Sequence, residues 1–157
     1  MRKTIITPEN RSAVSTEQEW LDLIKIARAE ITSEDPSYPI ESALNPFEGS
    51  GWRASKPGSQ TIRLFFDEPL QIRLIHLMFL EKQHQRVQEF VLRWSQDDGR
   101  SYREIVRQQY NFSPPDTFRE DESYSVNLAG VTVLELSIVP DISGGDILAS
   151  LAGLRLA

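Results

Sequence analysis

The side chains able to do chemistry in this chain are few, and they point to recognition rather than to bond-making. The 157 residues hold 2 His and no Cys, which removes thiolate nucleophiles, Cys-built zinc sites and disulfides. No GxSxG elbow, HExxH pair or phosphate-cradling Gly loop occurs. The adjacent acids Asp97 and Asp98 precede Gly99 and suit a turn. A two-carboxylate hydrolase stays open, because its partners need not be near in sequence. The reading is nonetheless of a non-catalytic chain that uses no metal and no cofactor.

What remains are hydrogen-bonding forks and aromatic faces in polar stretches. Trp52 offers an apolar platform on which a sugar ring stacks, or else plugs the end of a core as large aromatics commonly do. Arg53 stands beside it. His84 and Arg86 lie in the polar run 82–86, and both suit hydroxyl groups that need donors and acceptors together. Asn111 and Arg119 flank Pro114-Pro115, which stiffens their segment and lowers the entropy lost on binding. Asp141, Gly144, Gly145 and Asp146 form a second polar stretch that equally suits an ordinary Gly-rich turn. His76 falls in an apolar run and reads as a packed histidine with a local hydrogen bond, while Trp20 and Trp94 read as core.

These residues need a scaffold, and the pattern supplies one. Thr16 with Glu19 makes a capping box, and Trp20, Leu21, Ile24 and Ala27 follow at helical spacing, so one short N-terminal helix is expected. From Gln60 onward the period is two. Ile62, Leu64 and Phe66 alternate with polar residues, as do Phe90, Leu92 and Trp94, and Leu134, Leu136 and Ile138. Ile72 to Leu80 is apolar on both faces, as in a central strand. Seven or eight short strands with no βαβ rhythm predict an all-β sandwich or barrel. We expect a single domain, with residues 1–27 as an extension carrying the helix and 28–157 as the sandwich.

If successive strands run antiparallel, alternate connections gather at one end. Turns at 67–70, 97–101 and 129–130 then fall at the bottom. The longer segments 45–59, 82–85, 111–123 and 141–146 gather at the top, where a rigid scaffold builds binding sites.

The net charge is -6, yet residues 53–107 carry ten Lys/Arg against seven Asp/Glu. The acidic total argues against non-specific attraction to nucleic acid or anionic membranes. The opening stretch MRKTIITPENRSAVS has no apolar core of a secretory signal, and no run is long enough to span a bilayer. A cytoplasmic location without membrane insertion is therefore expected.

Several segments, in order, resemble one family. Phe90 to Tyr102 (FVLRWSQDDGRSY) resembles the discoidin, or coagulation factor type C, pattern of strand, Ser, Asp-Gly turn and aromatic. Ile40 to Asn45 (IESALN) is similar to its early "aLD" segment, and Ser150 to Leu156 (SLAGLRL) to its closing strand. The resemblance covers roughly residues 29 to 157 and implies an antiparallel jelly-roll β-sandwich of the galactose-binding-like type. It also implies a glycan or protein ligand held on loops at one end. Some members hold calcium near "aLDG", but Asn45-Pro46 stands where Asp-Gly is usual, so no calcium is expected. Locally, Trp52 to Ile62 (WRASKPGSQTI) is similar to a stretch in the N-terminal domain of the single-strand-break repair scaffold.

The expectation is therefore a carbohydrate-binding module that presents Trp52, Arg53, His84, Arg86, Asn111 and Arg119. The alternative is a protein-interaction module of an intracellular assembly, and nucleic-acid binding comes third.

Overall fold

The computed structural model describes residues 19–45 and 50–157. A four-residue helix α1 (Leu23–Ile26) leads into β1 (Ala27–Ile31), and a second short helix α2 (Glu41–Leu44) precedes β2 (Trp52–Pro57). Then come β3 (Gln60–Leu80), β4 (Arg86–Ser95), β5 (Arg103–Phe112), β6 (Arg119–Val139), β7 (Leu148–Leu151) and β8 (Gly153–Leu156). The eight strands among the described residues pair antiparallel throughout.

The frame is a two-stranded ribbon of β3 and β6, each 21 residues long. It runs from Gln60 opposite Ile138 to Leu80 opposite Arg119, with register shifts between Phe65 and Leu74. The expected turns at 67–70 and 129–130 are therefore not hairpins. They are corners at which both strands of the ribbon bend together. A straight strand would carry Phe79 roughly 60 Å from Gln60 at about 3.3 Å per residue. Instead the Phe79 ring lies 5.2 Å from that of Phe90, and Phe90 pairs with Ile138 beside Gln60. The ribbon folds over on itself, and the two ends of β3 meet again at the same end of the molecule.

This folding makes the two layers. The first half of β3 and the second half of β6 join β1, β4 and β5 in one layer. The second half of β3 and the first half of β6 join β8 in the other. Alternation fills the space between: Ile62, Leu64, Phe90, Leu92, Leu134, Leu136 and Ile138 point in from one side, and Ile75, Leu77, Phe79, Leu154 and Leu156 from the other. The β2–β7 pair closes the end, with Trp52, Ala54, Ala149 and Leu151 buried.

Two expectations about the N-terminal segment change. Thr16 lies outside the described residues, and residues 19–22 are not helical. The segment is tied instead to the last strand, since the Leu21 amide bonds to the Leu156 carbonyl at 2.8 Å, and Leu23 joins the core. Trp20 is half-buried outside that core, over His76 and Arg155 on the outer face. His76 itself bonds to Asp121 across the ribbon.

Candidate functional site

The top end carries a cavity of about 650 Å³. Its walls come from three places: residues 50–53 with Tyr38, the connection 80–84, and the segment 146–152. Three of the four expected top segments therefore converge, because the ribbon's fold returns Leu80 to the end where β2 and β7 lie.

The floor is set by strand parity. Arg53 pairs with Ser150 and Trp52 with Leu151, so Arg53 faces outward while Trp52 faces the core. Trp52 is 1% exposed, and its indole N–H donates to the Ser33 carbonyl at 3.1 Å. Of the two readings of Trp52, sugar platform or core plug, the ring takes the plug and is not free as a ligand platform, because burying it outweighs presenting it. Gly51 precedes it at φ +84, and a Cβ there would sit 2.7 Å from the Leu151 carbonyl oxygen. Only glycine lets β2 and β7 approach this closely.

The Arg53 guanidinium lies 4.3 Å above the centre of the Tyr38 ring, a cation–π contact that positions it. Tyr38 is held in turn by its carbonyl, which accepts the Arg53 amide at 3.1 Å, and by the Asp35–Tyr38 bridge. No local pattern marks Tyr38, which sits fifteen residues upstream of Arg53 between two prolines.

His84 is exposed and lines the cavity together with Lys82 and Gln83. Their connection is organised by Glu81. Burial raises the Glu81 pKa, but the Arg86 hydrogen bond and the amides of Gln83 and His84 outweigh this and hold it below its ordinary value. Its Oε1 accepts from Arg86 Nε at 2.7 Å, and its Oε2 accepts the Gln83 amide at 3.1 Å.

Arg86 is a correction. Its side chain is fully buried, and it donates to Glu81, to Gln88 at 3.0 Å and to the Pro140 carbonyl at 2.7 Å. It also stacks over Phe112. It ties β4, the 81–85 connection and the end of β6 together beneath the cavity, and offers no free face to a ligand.

Asn111 and Arg119 are also corrected. The expected loop 111–123 is mostly strand: β5 continues to Phe112 and β6 begins at Arg119. Arg119 spends its guanidinium on Asp121 at 2.8 Å, and neither residue lines the cavity. Asp141 accepts the Ser143 amide within its own turn, whereas Asp146 reaches the cavity wall.

A second polar cluster lies between the layers. Gln88 Nε2 donates to Glu120 Oε1 at 3.3 Å. Burial, with Glu122 beside it, pushes the Glu120 carboxyl up to about 8. The Tyr124 hydroxyl, also buried, is pushed up by the loss of water and by the same two carboxylates. Among the described residues no three His, Cys, Asp or Glu side chains gather as a metal-ligand group.

No family model matches the chain, and no curated protein matches its sequence. Solved structures do match. One is CpGH89CBM32-5 from Clostridium perfringens, in complex with GalNAc-beta-1,3-galactose: TM-score 0.65, 18% identity, covering 88% of this chain and 99% of that one. Another is the family 32 carbohydrate-binding module of C. perfringens NanJ in complex with galactose: TM-score 0.62, 11% identity, covering 87% and 96%. A third is a Ruminococcus gnavus GH29 fucosidase in complex with fucose: TM-score 0.68, 8% identity, covering 94% of this chain but 28% of that one. At such identities the shared property is the fold, which is the galactose-binding-like, discoidin-type β-sandwich expected from the sequence.

Proposed function

We propose that this chain is a carbohydrate-binding module and that its sugar occupies the cavity bounded by Arg53, His84 and Asp146. The observation that carries the reading is the cavity itself. At about 650 Å³ it falls within the roughly 300–1,000 Å³ of small-ligand sites. It sets donors on Arg53, Lys82, Gln83 and His84 beside acceptors on Asp146 and Ser150. A sugar needs that mixture, since each hydroxyl both donates and accepts. The apolar parts of Tyr38 and Leu148 offer surface to its C–H faces. Solved sandwiches of the same fold crystallised with sugars support the assignment.

Binding without turnover fits the carboxylates present. Glycoside hydrolysis requires two that are free to exchange protons or attack. Of the two among the cavity's described residues, Glu81 is held by Arg86 and by the Gln83 amide, leaving Asp146.

Calorimetric titration against a panel of neutral and acidic mono- and oligosaccharides tests this reading. We expect saturable 1:1 binding that Arg53→Ala and His84→Ala each weaken about tenfold, the worth of one good hydrogen bond. Asn111→Ala leaves it unchanged. Absence of any sugar binding, or binding indifferent to both cavity variants, would contradict it.

A further inference from the structure

Resting on that reading, we infer that the sugar taken by this cavity carries a carboxylate, placing its ligands in the uronic-acid class. Six arginines of the described chain are matched by carboxylates: Arg28, Arg63, Arg86, Arg93, Arg107 and Arg119. Arg73, Arg100, Arg103, Arg155 and Lys56 have no ion pair among the described residues, but none of them lines the cavity. Arg53 and Lys82 are the two unpaired cations among the described residues that do.

The cavity's own acids do not cancel them. Glu81 is spent on Arg86, so among the described residues Asp146 alone stands against two cations. The site is positive in an acidic molecule, and a local field of that sign favours entry of an anion.

The state of Arg53 gives the anion its shape. Seated 4.3 Å over the Tyr38 ring, the guanidinium carbon has a defined position, and its N–H groups lie along the edge of its own plane. A planar carboxylate meets such an edge through two parallel hydrogen bonds, the strongest arrangement open to either group. Ser150 stands opposite Arg53 in the β2–β7 pair, so a hydroxyl adjoins the fork on a rigid strand. The ordering entropy of the arginine is therefore largely settled before a ligand arrives.

The test compares D-galacturonic acid and its short oligomers with galactose, galactose 6-sulfate and matched neutral oligomers, by calorimetry at low and at physiological salt. We expect the uronate to bind on the order of ten- to a hundredfold more tightly than its neutral counterpart, as a charge-assisted pair provides. The preference shrinks as salt rises. Arg53→Gln abolishes the preference, so that uronate and neutral sugar bind alike, and Arg53→Lys restores only part of it, because an ammonium cannot bind bidentately. Arg53 is exposed, so neither variant threatens folding. Equal affinity for uronate and neutral sugar, or a sulfate ester bound better than the uronate, overturns the inference and leaves the sugar site standing. Failure of every sugar to bind removes both.

Discussion

Two arginines separated by little more than thirty residues show how position, not type, assigns a role. Arg53 lies on the outward face of β2, stacked on Tyr38 and otherwise uncommitted. Arg86 is enclosed and donates to Glu81, Gln88 and Pro140. Removing one member of a buried ion pair strands the other charge, at a cost of about 3–5 kcal/mol. Arg86→Ala should therefore shift the urea unfolding midpoint strongly downward, whereas Arg53→Ala should stay within about 0.5 kcal/mol of the parent. Equal midpoints for the two variants would show that Arg86 has a free face after all. From sequence these residues looked alike, because each lies in or beside a segment expected to be a loop at the top. What separates them is partners brought from residues 81, 88 and 140, which no local pattern reveals. Trp52 is the same lesson with the opposite outcome. One step along β2 exchanges outside for inside, and the strand's phase could not be read across a segment expected to be loop.

At the scale of elements, the β2–β7 pair decides where the cavity's floor lies. Gly51 at φ +84 lets the chain pass against the Leu151 carbonyl, so both the conformation and the contact exclude a side chain. Gly51→Ala should cost about 2 kcal/mol or more, visible as a lowered melting temperature, and should weaken sugar binding with it. Unchanged stability would mean that the strand pair relaxes without loss.

The core strands were legible because burial on one face imposes a period of two. Ile62, Leu64, Phe90, Leu92, Leu134 and Leu136 were all found inside. The corners were not. Asp67-Glu68-Pro69 and Ala129-Gly130 have turn chemistry, yet a strand that bends into the opposite layer uses the same residues as one that reverses. The inference that long connections share one end survives, since a folded ribbon returns its chain to the top as a hairpin would.

Across the whole molecule, the two layers meet not only through apolar side chains but also through the polar group of Gln88, Glu120, Glu122 and Tyr124. Glu120 holds its proton up to about pH 8 in the folded protein, where the unfolded chain releases it near 4.5. The folded state thus binds the extra proton between these values. Its contribution is fully present below about pH 4.5 and is lost as pH rises toward 8. Melting temperature should fall across that window. Glu120→Gln, neutral at every pH and able to keep the bond to Gln88, should flatten the slope and exceed the parent at pH 8. A variant whose pH profile parallels the parent's would show that Glu120 is ionised in the fold.

The account's central claim, that a sugar sits at the converging end of the folded ribbon, is tested most directly by amide chemical-shift mapping during a titration with galacturonate oligomers. Shifts confined to Tyr38, Arg53, residues 82–84 and residues 146–151 are the predicted result. Shifts centred on Asn111 and Arg119, or on the outer face around His76 and Trp20, would place the ligand elsewhere and contradict it.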